Sequence, residues 1–270
     1  VNTSILNWFG LPALLYVIAL LDGIVQMPTH ERPSWRTRAL VLLALVAHGL
    51  QLFIATVDSR GLSLAITDSA SLIGWIMAVN GWMLLFLPQL RILPYLVVLV
   101  SATLSILTGL LNGFAPPEHP PWELAAHIVL AGLAFAWFGI AVISAIMLMV
   151  VHRSLRLRLS VARWQRYWPA LETIETVLFQ ALSGGFVALS LALLTGFFYV
   201  TNPTTQHLWH KIIFTVLAWI TFAILLIGRS RYGWRAGRAL RFTLFGVANL
   251  LLGYFGSKFV LELLLNRHWG

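Results

Sequence analysis

Eight histidines and no cysteine bound the chemistry open to this chain. Without thiols it brings no disulfide, thiolate zinc site, iron–sulfur cluster or thiol redox couple of its own, so a metal would take histidine, carboxylate, methionine or carbonyl ligands. Two histidines lie in apolar runs: His48 in Leu45-Val46-Ala47-His48-Gly49-Leu50-Gln51, and His127 in Ala125-Ala126-His127-Ile128-Val129-Leu130. A neutral imidazole offers one lone pair to a metal and one N–H to an orienting acceptor, so it is buried without charge when both are used. Two such rings can clamp a haem iron from its two faces. Ala44, Gly49 and Ala55 near His48, and Ala131, Gly132 and Ala134 near His127, leave room for a flat macrocycle. On composition the plainer alternative, each ring hydrogen-bonding a neighbouring helix, is favoured.

The elements that must position these rings follow from composition. Apolar residues make up 59% of the 270 and charged residues 10%, which no soluble fold has interior enough to bury. The apolar runs are about 20 residues long, which selects helices over a barrel. They are expected at 5–27, 39–57, 69–88, 92–111, 124–151, 173–200, 209–228 and 240–263. The fold class read from this is all-α, a polytopic membrane helix bundle with eight transmembrane helices in a single integral membrane domain spanning 1–270. The first run is long, lacks a basic start and is followed by a basic loop, so it is expected to be a span and not a cleavable signal peptide.

Lys and Arg divide unevenly between alternate connections. Fourteen of the 18 fall in one set, at Arg32 to Arg38, Arg91, Arg153 to Arg166 and Arg229 to Arg241, and four in the other, at Arg60, Lys211, Lys258 and Arg267. The richer set marks the cytoplasmic side, which puts both termini outside, N-out and C-out. The net charge of +9 is thereby explained by topology, and no nucleic-acid partner is expected. The stretch His152 to Trp168 reads either as an interfacial segment on anionic lipid or as a plain topogenic loop. Asp22, Asp68, Glu175, Lys258 and Glu262 lie near span ends, where a structural role is cheaper than a proton relay. No P-loop, GxGxxG after a strand or HExxH is present, and Ser183-Gly184-Gly185 reads as close helix packing.

Depth relates the histidines to one another. At about 1.5 Å per residue, His48 stands roughly 14 Å above the cytoplasmic edge, while His127 lies about one turn inside the outer edge. Their α-carbons are expected to differ in depth by about 10 Å, which a tilted haem could bridge. His210, beside Trp209 and Lys211 at the outer mouth of span 7, lies on the same side as His127 and competes with His48 for the same iron.

A series of segments runs in order through nearly the whole chain: Ala47-His48-Gly49, Ser69-Ala70-Ser71-Leu72-Ile73, His127 with the small residues behind it, and Leu171-Glu172-Thr173-Ile174-Glu175. It continues with Leu194-Thr195-Gly196-Phe197-Phe198-Tyr199, Lys211 with Trp219, Gly233-Trp234-Arg235 with Gly237-Arg238, and Tyr254-Phe255-Gly256. The series resembles the cytochrome c assembly superfamily of membrane haem-handling proteins, within it the YpjD- and HemX-like branch. The resemblance implies non-covalent b-type haem. It matches His127 to the family's first external haem ligand and His48 to a histidine within the membrane, which favours His48 over His210 as the second ligand. Haem lyase relatives carry a tryptophan-rich external segment ending in Trp-Asp, where this chain reads Val200-Thr201-Asn202-Pro203-Thr204-Thr205-Gln206-His207-Leu208-Trp209-His210-Lys211. That departure implies haem relay or an accessory role, not attachment of haem by this chain acting alone. The expected partners are the lipid bilayer, haem and other cytochrome c assembly proteins. The alternative is a non-catalytic membrane scaffold, or a regulatory subunit of a transport complex, that has lost the cofactor.

Overall fold

The computed structural model describes residues 3–27, 32–58, 66–111, 122–156, 167–199 and 209–256. Among them are eight α-helices and no strand: α1 Thr3–Gln26, α2 Trp35–Asp58, α3 Ile66–Leu84, α4 Leu93–Leu111, α5 Trp122–Arg156, α6 Leu171–Tyr199, α7 Trp209–Tyr232 and α8 Ala236–Leu251, the last continuing as a π turn over Leu252–Gly256. Four are long and apolar enough to cross a membrane, over Trp35–Ile54, Leu124–Arg156, Leu171–Phe198 and Lys211–Tyr232. Shorter apolar helices cover Gly10–Gln26, Ser69–Leu84 and Leu93–Ile106. The surface inverts that of a water-soluble protein: Phe197, Phe198 and Val25 are 78%, 76% and 74% exposed, beside many exposed Leu and Ile. Such a surface needs an apolar surround.

Several boundaries differ from the hydropathy reading by four or five residues: α2 opens at Trp35 and not 39, α5 runs to Arg156 and not 151, α7 runs to Tyr232 and not 228, and two more have a local cause. The third apolar run continues to 88, but α3 stops at Leu84. Pro88 opens a 3₁₀ turn, Pro88–Leu90, and drives Leu87 to an extended conformation at φ −103° and ψ 92°. The last helix begins at Ala236 and not at 240, because its first turns carry exposed Arg238 and Arg241 on a face that hydropathy averages hide.

The helices fall into two units, residues 1–119 with 154–174 and residues 120–153 with 175–270. In the first unit, α1 packs on α2 and α4, and α3 packs on the same two helices. A Cβ at Gly23 would run into the Tyr95 ring, and one at Gly81 would come within 2.9 Å of Val98. Those glycines set how closely α4 approaches α1 and α3. The indoles of Trp75 and Trp82 on α3 donate to the carbonyls of Leu45 and Arg38 on α2, each at 3.0 Å. Asp22 accepts from Thr37 Oγ1 and Gln26 Nε2, both at 2.6 Å, so this carboxylate ties α1 to α2.

In the second unit, Gly184 lies under the Trp137 ring and Gly185 against Phe138, which is the close packing read from Ser183-Gly184-Gly185. Phe138 stacks on Phe222 of α7 with centroids 4.0 Å apart and planes 11° apart. Gly246 of α8 admits the edge of the same Phe222 ring. At the other end of α6, Glu175 forms an ion pair with Arg229 of α7, whose guanidinium also lies 4.6 Å over Phe179. Glu175 thus ties α6 to α7. Asp68, Lys258 and Glu262 lie outside the described side chains.

The motif Gly233-Trp234-Arg235 closes α7. Gly233 has φ +62°, a conformation that favours glycine, and its N–H donates to the Arg229 carbonyl at 3.2 Å. The Trp234 N–H reaches back to the Gly228 carbonyl at 3.2 Å, and Gly228 makes room for the indole.

Candidate haem-ligand site

His48 and His127 fall in different units, so each centre is described by itself. His48 is fully buried, at 0% exposure. Its Nδ1 lies 3.3 Å from Tyr16 Oη on α1, and its Nε2 lies 3.0 Å from Ser71 Oγ on α3. The Tyr16 and His48 rings meet edge-on, with centroids 5.9 Å apart. Trp75 braces the same point: its indole donates to Leu45 and lies against Gly49, where a Cβ would come within 3.0 Å of Nε1. Either tautomer is satisfied, since each hydroxyl both donates and accepts. The ring thus ties three helices together, and iron ligation would require one hydroxyl to give way.

A consequence is testable on the unloaded protein. Ser71→Ala removes the partner of a ring nitrogen that water does not reach, a loss expected to destabilise the fold by about 1–3 kcal/mol. Unfolding in mixed detergent measures it. Ser71→Thr, which keeps a hydroxyl, should recover most of the loss.

His127 is held differently. It projects from α5 onto α6, where Nδ1 is 2.8 Å from the Ala192 carbonyl oxygen and 3.2 Å from Thr195 Oγ1. The ring lies against Gly196, where an added Cβ would stand 3.0 Å from Cε1. A carbonyl oxygen only accepts, so Nδ1 carries the proton and the Nε2 of the neutral ring carries the lone pair. Nε2 has no hydrogen bond to the described residues. An N–H fixed by a backbone carbonyl and a bare second nitrogen is how proteins orient a metal-ligating imidazole. His127 therefore fits an iron ligand, while His48 as it stands is a satisfied hydrogen-bonding node.

His210 is the second residue of α7, and its side chain lies outside the described residues. Its backbone can be placed by register. Trp219 Nε1 of α7 donates to Ser190 Oγ of α6 at 2.8 Å, and their rings and neighbours reinforce the match, with Phe186 and Trp219 stacked at 5.3 Å. Gly196 lies six residues beyond Ser190, about 9 Å along α6, and His210 lies nine residues before Trp219, about 14 Å along the returning α7. The His210 backbone thus stands about one turn beyond the layer of the His127 ring. Of the remaining histidines, His152 is exposed at the end of α5, and His30, His119, His207 and His268 lie outside the described residues.

Tyr16, Ser71, Ala192 and Thr195 are the partners that sequence reasoning did not assign. Ser71 and Thr195 sit in segments singled out by pattern, so a signal existed for them. Tyr16 and the Ala192 carbonyl had none, since their pairings span 32 and 65 residues.

Comparison with known proteins gives a consistent result. The family model described as cytochrome C assembly protein matches residues 36–265. Similar relatives include the inner membrane protein YpjD of Escherichia coli K12, 27% identical over 269 residues that cover 95% of this chain and 98% of the relative. The proteins of that name from strains O6:H1 and O157:H7 match with the same identity and coverage. No solved structure matches.

Proposed function

The chain belongs to the cytochrome c assembly protein family, and from that premise we propose that it is an inner-membrane protein that binds haem without covalent attachment and relays it, or assists, in cytochrome c assembly. The observation that carries this reading is His127, with Nδ1–H held by the Ala192 carbonyl and Nε2 left for a ligand. Bound haem would supply an iron that accepts such nitrogens as ligands. His127 would be one ligand. His210 and His48 are the candidates for the other: His210 by its level on α7, His48 by the resemblance and by its burial. Haem content of the detergent-purified protein, measured as pyridine haemochrome with the Soret spectrum, tests the reading directly. Stoichiometric haem supports it, and a protein that takes up no added haemin overturns it.

A second reading is favoured by His48. A buried histidine saturated by Tyr16 and Ser71 is what a scaffold uses to lock helices, and a non-catalytic membrane scaffold needs no iron. The same titration separates the two, because the scaffold gives no Soret band.

The proposal includes eight spans with both ends outside. It rests on the fourteen-to-four division of Lys and Arg and on the helix series. Alkaline phosphatase fused after Gly270 is expected to be active, and a cytoplasm-dependent fluorophore fused there to stay dark. The opposite pattern would require an even number of spans between the arginine-rich side and the C-terminus.

A further inference from the structure

The side of α6 that meets His127 carries two adjacent residues with complementary roles. Thr195 Oγ1 lies 3.0 Å from both the Leu191 and Ala192 carbonyl oxygens, so its own proton goes back into the helix. Its remaining lone pairs face outward, and His127 Nδ1 is 3.2 Å away. The hydroxyl is therefore an acceptor toward the imidazole, alongside the Ala192 carbonyl. The Ala192 carbonyl, which can only accept, favours the proton on Nδ1, and Thr195 Oγ1 back-bonded into the helix adds a second acceptor for it. Gly196 supplies the space. With a Cβ 3.0 Å from Cε1 and 3.4 Å from Nδ1, alanine there would make the ring give by a few tenths of an ångström against its two acceptors.

The layer below gives these residues a rigid base. Ser190 repeats the same device one turn and a residue earlier: its Oγ donates to the Phe186 carbonyl at 2.7 Å and accepts from Trp219 Nε1 at 2.8 Å. Thus α6 uses one back-bonded hydroxyl to receive α7 and another to receive the histidine of α5.

We infer that Thr195 and Gly196 are the positioning pair of His127, fixing the tautomer and rotation of the ring so that Nε2 presents its lone pair away from α6. The inference deepens the haem reading and rests on it for its purpose, but the tautomer can be measured without haem. Imidazole nitrogen resonances of ¹⁵N-histidine-labelled protein in detergent, assigned by comparison with His127→Gln, report which nitrogen holds the proton. The wild type is expected to show a single Nδ1–H form at His127. Thr195→Val, which keeps the branched shape without the hydroxyl, should give a mixture, and Thr195→Ser should restore the single form. Gly196→Ala, which makes the ring shift, should give a mixture as well. Titration with haemin is expected to follow the same order, with affinity about 10-fold lower in Thr195→Val and up to about 100-fold lower in Gly196→Ala, the range for loss of an outer-shell partner of a metal ligand. An unchanged single tautomer in both Thr195→Val and Gly196→Ala would overturn the inference, whatever haemin does. The expected tautomer pattern with no haemin bound by any variant would leave the positioning pair standing and overturn the haem reading.

Discussion

His127→Ala is expected to lower haem affinity by at least about 100-fold, beyond the roughly 10- to 100-fold that loss of an outer-shell partner costs a metal site. The expectation follows from the His127 imidazole, whose orienting N–H is satisfied while its other nitrogen has no hydrogen bond to the described residues. Haemin titration of the detergent-purified variant, followed in the Soret region, checks it, and full haem with an unchanged spectrum in the variant removes His127 from the site. The same spectra arbitrate the second ligand. Loss of a six-coordinate low-spin signature in His210→Ala but not in His48→Ala would assign His210, and the reverse would assign His48. A low-spin signature retained in both singles would place the second ligand elsewhere.

The largest effect on folding is expected at Gly184. A Cβ there would overlap the six-membered ring of Trp137, which is part of a stiff indole and not the end of a flexible chain. To accept Gly184→Val, α5 and α6 would have to separate along the stretch that also seats Gly185 on Phe138. Overpacking of a tight contact costs about 1–3 kcal/mol in ordinary cores, and this overlap is expected to reach about 3 kcal/mol or more. Unfolding with increasing sodium dodecyl sulfate in mixed micelles measures it. If Trp137 is the cause, pairing Gly184→Val with Trp137→Ala should cost less than the two single changes together. Strict additivity would mean that the indole is not what the glycine accommodates.

These two sites show what could be read before any coordinates and what could not. The glycine pair was legible because small adjacent residues in an apolar run have few uses besides close packing. Most helix limits were legible too, since hydrocarbon thickness and polar punctuation leave few choices: α4 covers Leu93–Leu111 where hydropathy indicates 92–111. Hydropathy failed where a local rule overrode it, as at Leu87, whose conformation Pro88 decides. The histidines were legible as costly residues, but not their partners. Nothing local to His48 shows whether its nitrogens meet hydroxyls or a metal, because Tyr16 and Ser71 arrive from other helices. For His127 the decisive acceptor is a main-chain oxygen, and a backbone carbonyl has no signature in residue type.

Trp75 has a further use. Its indole N–H is held by Leu45, three residues before His48, while its ring rests on Gly49, the residue after it. Any rotation of His48 that slides or tilts this part of α2 must therefore stretch that hydrogen bond or unseat the ring. Fluorine placed on the Trp75 indole would accordingly act as a strain gauge for His48, its ¹⁹F resonance shifting when the clamp opens.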